Sequence, residues 1–260
     1  MIEHRFINNF VKYRFLLVEL IKKNLFVKYK GSSLGILWSF LNPILHTLIL
    51  VLVFGFLFND AMPFFAIYVL IGRLMYDFFS GGTTQAMNSI RAGSNIMKKV
   101  YVPKYIYVLS AIISELITLL MCMTLLVVLM ILLGCPFNIV NLYLIVPIVL
   151  LFIFSIGCGM ILAPAYVYFR DVKYLYGVFT HLLMYGCAIF FPITFIPTQY
   201  QFVFYLNPVY VAISGFREAI IYGTIQPLDQ IIFLGACALA VVVVGVIIFY
   251  KTQDEFILKI

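Results

Sequence analysis

Charge is scarce in this sequence. Of its 260 residues only 10% are charged, and acids are rarer than bases, 10 Asp+Glu against 17 Lys+Arg. An average soluble domain carries about 25% charged residues. A water-soluble fold of this length could not cover its surface with so few, so most soluble enzyme folds are excluded. Paired cysteine is also missing. Cys122, Cys135, Cys158, Cys187 and Cys237 lie in or beside apolar runs and none forms a C-x-x-C pair. Neither a disulfide framework nor a zinc site is signalled, and the five read as structural thiols. Catalytic signatures are absent too. Gly31 to Gly35 lacks the lysine and the strand-loop-helix setting of a Walker A loop, and no H-E-x-x-H, G-x-S-x-G or kinase pattern occurs. His4, His46 and His181 are scattered, so spacing assembles no metal cluster. Neither catalytic nor metal-binding residues are expected.

Apolar residues are abundant: 65% of the chain is hydrophobic and the mean hydropathy is +1.12. A hydrocarbon core about 30 Å thick needs about 20 helical residues to cross it. Six stretches meet that length or nearly so, at residues 34–58, 64–86, 105–133, 140–169, 174–195 and 228–250. No internal repeat or Ser/Gly-rich linker divides them. The expected fold class is an all-α polytopic membrane protein, with one six-span transmembrane domain over residues 34–260.

A formal charge of +7 would suggest nucleic acid in a soluble chain. Here its distribution argues otherwise. Basic residues cluster before the first span, between the second and third, between the fourth and fifth, and after the sixth, 15 of the 17 in all. Arg217 stands in an opposite loop and Arg73 inside the second span. Basic residues stay cytoplasmic, so both termini are placed there, an odd number of spans would break the partition, and no nucleic-acid partner is expected.

Residues 1–33 hold no long apolar run or small-residue cleavage site and are not read as a removable signal peptide. Lys12, Glu19, Lys23 and Lys30 share one helical face, with Tyr13, Leu16, Leu17, Leu20, Ile21 and Val27 spread over much of the rest. This pattern predicts a cytoplasmic amphipathic helix lying along the membrane interface, with Gly31-Ser32-Ser33 turning the chain into the bilayer. Between the fifth and sixth spans, residues 197–226 remain apolar but are broken by Asn207-Pro208, Gly215 and Gly223. Pro208 cannot continue a preceding helix unkinked. Two short helices dipping into the outer leaflet and returning, a re-entrant hairpin bordering a pathway, are predicted there.

Few ionisable residues lie within the spans. Arg73 and Asp77 are one helical turn apart and can pair, which lowers the cost of either charge at membrane depth; a structural pair is favoured over a substrate contact. Glu115 has no sequence-local partner. Aromatics make up 17% of the chain. Some form interfacial belts, whereas Tyr174, Tyr176, Phe179, Tyr185, Phe190 and Phe191 follow one another along the fifth span. Such rings suit sugar faces, though from sequence alone helix packing and lipid contact are the favoured explanation.

The stretch from Val27 to Pro43, with Leu34-Gly35-Ile36-Leu37-Trp38 at its centre, resembles the opening of ABC type-2 permeases that export polysaccharides and polyol phosphates. Further matches follow in order. Asn88-Ser89-Ile90 with Ile96-Met97-Lys98-Lys99-Val100-Tyr101-Val102-Pro103 resembles the loop carrying the coupling helix, about residues 88–103. Phe169-Arg170-Asp171-Val172 resembles the cytoplasmic R-D motif. Phe191-Pro192 and Leu206-Asn207-Pro208, with Arg217, resemble the outer-face segment. Arg73, in a region usually apolar, and Lys104, where arginine is common, depart from the pattern.

The resemblance implies a transport subunit of an exporter for a lipid-linked polysaccharide such as O-antigen, capsule or teichoic acid. Two permease copies would pair with two ABC ATPase chains that hold the ATP and magnesium, this chain binding no cofactor. It would sit among the lipids of a bacterial or archaeal cytoplasmic membrane. By the same resemblance Ser89, Ile90, Arg91, Ser94, Asn95, Met97, Lys98 and Lys99 would couple to the ATPase. Lys30, Arg170 and Asp171 would border the cytoplasmic entrance. Trp38, Tyr174, Phe179, Tyr185 and Phe190 would line the channel, and Asn207, Pro208 and Arg217 would stand near its outer mouth. The alternatives are a type-2 exporter of a drug or small lipid, or a membrane-bound acyl or glycosyl transferase; the short loops oppose the first and the paucity of polar groups opposes the second.

Overall fold

The computed structural model describes residues 2–58, 64–98 and 102–256. Within them the regular structure is helical: α1 (Ile2–Tyr29), α2 (Leu37–Phe58), α3 (Phe65–Ala92), the single turn α4 (Ser94–Met97), α5 (Tyr105–Leu133), α6 (Ile145–Tyr168), α7 (Val172–Gly186), α8 (Thr198–Tyr205), α9 (Pro208–Arg217) and α10 (Leu228–Thr252). A 3₁₀ turn at Ile139–Leu144 leads into α6, and a π turn at Glu218–Tyr222 follows α9. Among the described residues four helical stretches are long and apolar enough to cross a membrane: Leu37–Phe56, Tyr105–Leu133, Ile139–Tyr168 and Leu228–Glu255. All four fall on predicted spans.

The second and fifth predicted spans differ. α3 runs through the second without a break, but Arg73 and Asp77 interrupt its apolar character. It is the centre of the molecule, packing against α2, α5, α6, α7 and α9, so one helix serves both the core and a polar face. The fifth stretch was expected to continue to residue 195, yet α7 stops at Gly186. There Ala188 adopts a left-handed backbone, φ 45°. The carbonyls freed by the break find donors. The Tyr68 hydroxyl donates to Ala188 O at 3.3 Å and Phe191 O at 3.0 Å, and Arg217 Nη2 donates to Ile189 O at 3.2 Å. Irregular backbone is tolerated in an apolar setting where protein groups satisfy it in this way.

α1 presents two apolar faces. Leu17 and Leu20 are buried, with Tyr13, Leu16 and Ile21 packed beside them, and this stripe lies against α5. Phe15, Val18 and Phe26 are exposed on another side. The apolar residues thus divide between a protein-facing stripe and an outward one, where the sequence pattern suggested a single membrane-facing remainder.

α6 and α10 pack backbone against backbone. A Cβ on Gly157 would lie 2.6 Å from Val241 C and Val242 N, and one on Gly245 would lie 2.6 Å from Gly157 O. Small residues facing each other let the two backbones approach, which is how helices associate where lipid supplies no hydrophobic drive. α5 ends at Gly134, φ 69°, with Cys135 N–H bonded to Met130 O at 2.9 Å, the left-handed stop expected of glycine. Residues 197–226 do hold two short helices, α8 and α9, divided at Leu206-Asn207.

Candidate functional site

Polar groups gather in a cleft beneath α2. One cavity of about 510 Å³ is lined by Lys28, Lys30 and Ser32, by Trp38, Ser39 and Asn42 of α2, and by residues of α3 and α5. A second, of about 770 Å³, is lined by His46 of α2, by α3 as far as Asn88, by Thr180, His181 and Met184 of α7, and by Phe190. Both share Arg73, Asp77, Ser80, Gly81 and Glu115. They therefore adjoin along one face of α3.

Two ion pairs involve this shared wall, one within it and one closed by Lys28 from the first cavity. Arg73 Nε donates to Asp77 Oδ2 at 2.8 Å, as the one-turn spacing predicts. Arg73 Nη1 also reaches Met184 Sδ at 3.8 Å, tying α3 to α7. Lys28 Nζ meets both carboxylate oxygens of Glu115, at 2.9 and 3.0 Å. Glu115 therefore has a partner 87 residues away in sequence. Its side chain is only 8% exposed while that of Lys28 is 37% exposed, so the lysine reaches in from the α1 side. Nearby, Asn24 Nδ2 donates to Ser110 Oγ at 3.4 Å and Ser114 Oγ to Gln85 Oε1 at 2.8 Å. His46 and His181, scattered in sequence, line the same cavity.

The residues expected to line a channel divide. Trp38 faces the first cavity and Phe190 the second. Tyr185 meets Phe190 edge-on with centroids 5.5 Å apart, and Phe54 stacks on Phe190 at 5.9 Å. Tyr174 and Tyr185 are exposed on the outer side of α7. Phe179 stacks on Tyr176 at 5.8 Å beside a separate cavity toward α6, so it is not brought into the cleft.

The residues expected to couple to an ATPase also separate into two kinds. Ile90 and Met97 are buried in the core. Arg91 Nη2 donates to Val167 O at 3.1 Å with its guanidinium 4.6 Å over the Tyr166 ring, which fastens α3 to the end of α6. Ser89 Oγ bonds Ala86 O within its own helix, and Ser94 is half-buried while Asn95 and Lys98 are exposed. Lys99 lies outside the described residues. Arg170 and Asp171 are exposed in the turn joining α6 to α7. Lys104 donates to Gln253 O and sits over the Phe256 ring; burial lowers its ammonium below the ordinary lysine pKa, opposed by Asp254.

At the other end of α3, the Asn207 side chain accepts from Val209 N–H at 3.0 Å, with Pro208 at the first helical position of α9. This is an N-cap in its preferred chemistry. The same side chain donates to Gly186 O at 3.0 Å, suturing α9 to the end of α7. Arg217 is 4% exposed. Its guanidinium lies 3.4 Å from the Tyr68 ring centroid and donates to Tyr68 O at 3.3 Å. A Cβ on Gly72 would meet Arg217 Nη2 at 2.6 Å, so only glycine leaves room for it. The sequence carried no sign of Tyr68 or Gly72 as partners of Arg217, because the three are joined only by packing.

Comparison with known proteins gives this arrangement a context. The O-antigen export system permease protein RfbA of Klebsiella pneumoniae is 27% identical over 243 residues, 93% of either chain. The protein of the same name from Myxococcus xanthus is 26% identical over 255 residues, 97% of this chain and 98% of the relative. The polysialic acid transport protein KpsM of Escherichia coli is 26% identical over 234 residues, 89% of this chain and 90% of the relative. The family model of the ABC-2 type transporter matches residues 16–221. The chain belongs to the ABC-2 type transporter family.

Proposed function

We propose that this chain is the permease subunit of an ATP-driven exporter of lipid-linked polysaccharide, of the O-antigen, capsule or teichoic acid kind. The observation that carries this reading is the polar cleft beneath α2. In a chain this apolar, hydroxyl, amide, imidazole and paired charged groups are concentrated along α3 between α2 and α7. Polar groups at membrane depth mark a pathway by default, and this set offers both donors and acceptors, with aromatic rings beside them, as a polyhydroxylated chain requires. A drug or small-lipid exporter would be served better by an apolar cleft.

The molecule would cross the cytoplasmic membrane six times. α3 and the α7 segment extended through residue 195 would join the four longer apolar stretches, with both termini cytoplasmic, α1 at the interface and α8–α9 as a re-entrant hairpin. α2 and α7 leave apolar faces exposed, including Leu48, Leu52 and Phe56 on the one and Val178, Leu182 and Tyr185 on the other. A second copy of the chain would cover these faces and complete the channel, with Trp38, Tyr174, Tyr185 and Phe190 along it. Asn95, Lys98 and Lys99 would touch the ATPase, and Ile90, Arg91 and Met97 would pass the movement into the core. Lys30, Arg170 and Asp171 would border the cytoplasmic entrance. ATP and magnesium would be held by two ATPase copies, whose closure drives a rigid-body change in the permease pair.

Deletion of the gene in the organism that encodes it tests this. The surface glycan should disappear while its lipid-linked form accumulates inside the cell, and the wild-type gene should restore export. An unchanged surface glycan would overturn the reading.

A further inference from the structure

The charges in the cleft are arranged in a way that bears on which glycans pass. The shared wall carries Arg73, Asp77 and Glu115; Arg73 is bonded to Asp77, and Glu115 is bonded to Lys28, which reaches it from the first cavity, so both carboxylates are compensated. Lys30 is the further cation, exposed where the first cavity meets the apolar groove beside α1, and it does not line the second cavity. Past that mouth the wall is balanced. A polymer carrying a carboxylate on each repeat unit would bring uncompensated negative charge into an apolar surround, where unpaired charge is costly. It would also meet the two wall carboxylates. A polymer of uncharged sugars needs only hydrogen bonds, and those are plentiful here.

We propose that the balanced wall makes this cleft selective for lipid-linked glycans with uncharged repeat units over acidic ones, with Glu115 and Asp77 as the specificity-determining residues. The inference rests on the exporter reading above. The carrier's own phosphate is common to both glycan classes and does not enter the discrimination.

The test uses the permease purified with its ATPase and reconstituted in vesicles at pH 8, above the ordinary imidazole pKa. Two polyprenyl-linked glycans are compared as stimulants of ATP hydrolysis, one of neutral hexoses and one of polysialic acid. The wild type should respond to the neutral glycan and weakly or not at all to the acidic one. Glu115→Gln leaves the wall one positive charge in excess and should shift the response ratio toward the acidic glycan on the order of fivefold, as one unit charge at contact distance does in a wet site. The double variant K28Q/E115Q restores neutrality and should return the ratio to that of the wild type. Asp77→Asn creates the same excess from α3 and gives a second route should Glu115→Gln fail to assemble with the ATPase. Equal wild-type responses to both glycans, or a ratio unmoved by the charge-unbalancing variants, would overturn the selectivity and leave export standing. Hydrolysis that no glycan raises would overturn the exporter reading itself.

Discussion

Arg217 has no carboxylate in hydrogen-bonding reach among the described residues, yet it is almost fully enclosed. Its charge is held by carbonyl oxygens and by the face of Tyr68, so removal costs several contacts at once. Arg217→Ala should lower the stability of the purified permease by about 3 kcal/mol, the scale of charged hydrogen bonds with a desolvated cation–π contact. Arg217→Lys should recover only part of this, because a point charge cannot bridge Tyr68 O and Ile189 O from one planar fork. Thermal unfolding of the detergent-solubilised protein reads both. Asn207→Ala removes the α9 cap and the bond to Gly186 O together, and should cost about 1–2 kcal/mol by the same measurement. A variant indistinguishable from wild type would show that the suture carries no weight. Asn207 was legible as a helix boundary because asparagine before proline has a local meaning. The partners of Arg217 were not, since the sequence gives no distance between residues 68, 72, 189 and 217.

At the scale of elements, α6 and α10 depend on two hydrogens in place of side chains. Gly157→Val would drive methyl groups into the backbone at Val241 and Val242, where nothing flexible can yield. The expected result is separation of the helices and a loss of at least about 3 kcal/mol, at the upper end for overpacking, seen as lower unfolding temperature and poor recovery from membranes. Gly235, where an added Cβ would meet nothing nearer than a Leu150 side-chain carbon at 3.9 Å, should accept alanine within about 0.5 kcal/mol and serves as the control. The apolar runs of α2, α5, α6 and α10 were readable from composition because hydrocarbon demands length and apolarity. The end of α7 was not readable. Gly186-Cys187-Ala188-Ile189 continues the apolar run, and what stops the helix is a set of donors on α3 and α9. The cleft was half legible for the same reason. Arg73 and Asp77 are one turn apart and declare themselves, whereas Lys28 and Glu115 meet only because α1 lies along α5.

At the scale of the whole molecule, the exposed faces of α2 and α7 set an expectation about assembly. Mass measurement of the intact transporter in a mild detergent should find two permease copies with two ATPase chains, the closed two-fold arrangement most common among oligomers; a single permease copy would overturn it. α3 also imposes a condition on how any such assembly moves. Near one end it holds Tyr68 in the grip of Arg217, and at the other it holds Arg91 and the turn into α4, about 35 Å away at 1.5 Å per residue. Between them it is one uninterrupted helix, with no loop to absorb a displacement along its axis. An axial shift at Gly93 would therefore be carried by the helix toward Tyr68. In kinetic terms, events at the two ends are expected to be linked, so a substitution that loosens the Arg217 grip on Tyr68 should also change the rate of ATP hydrolysis coupled at the far end.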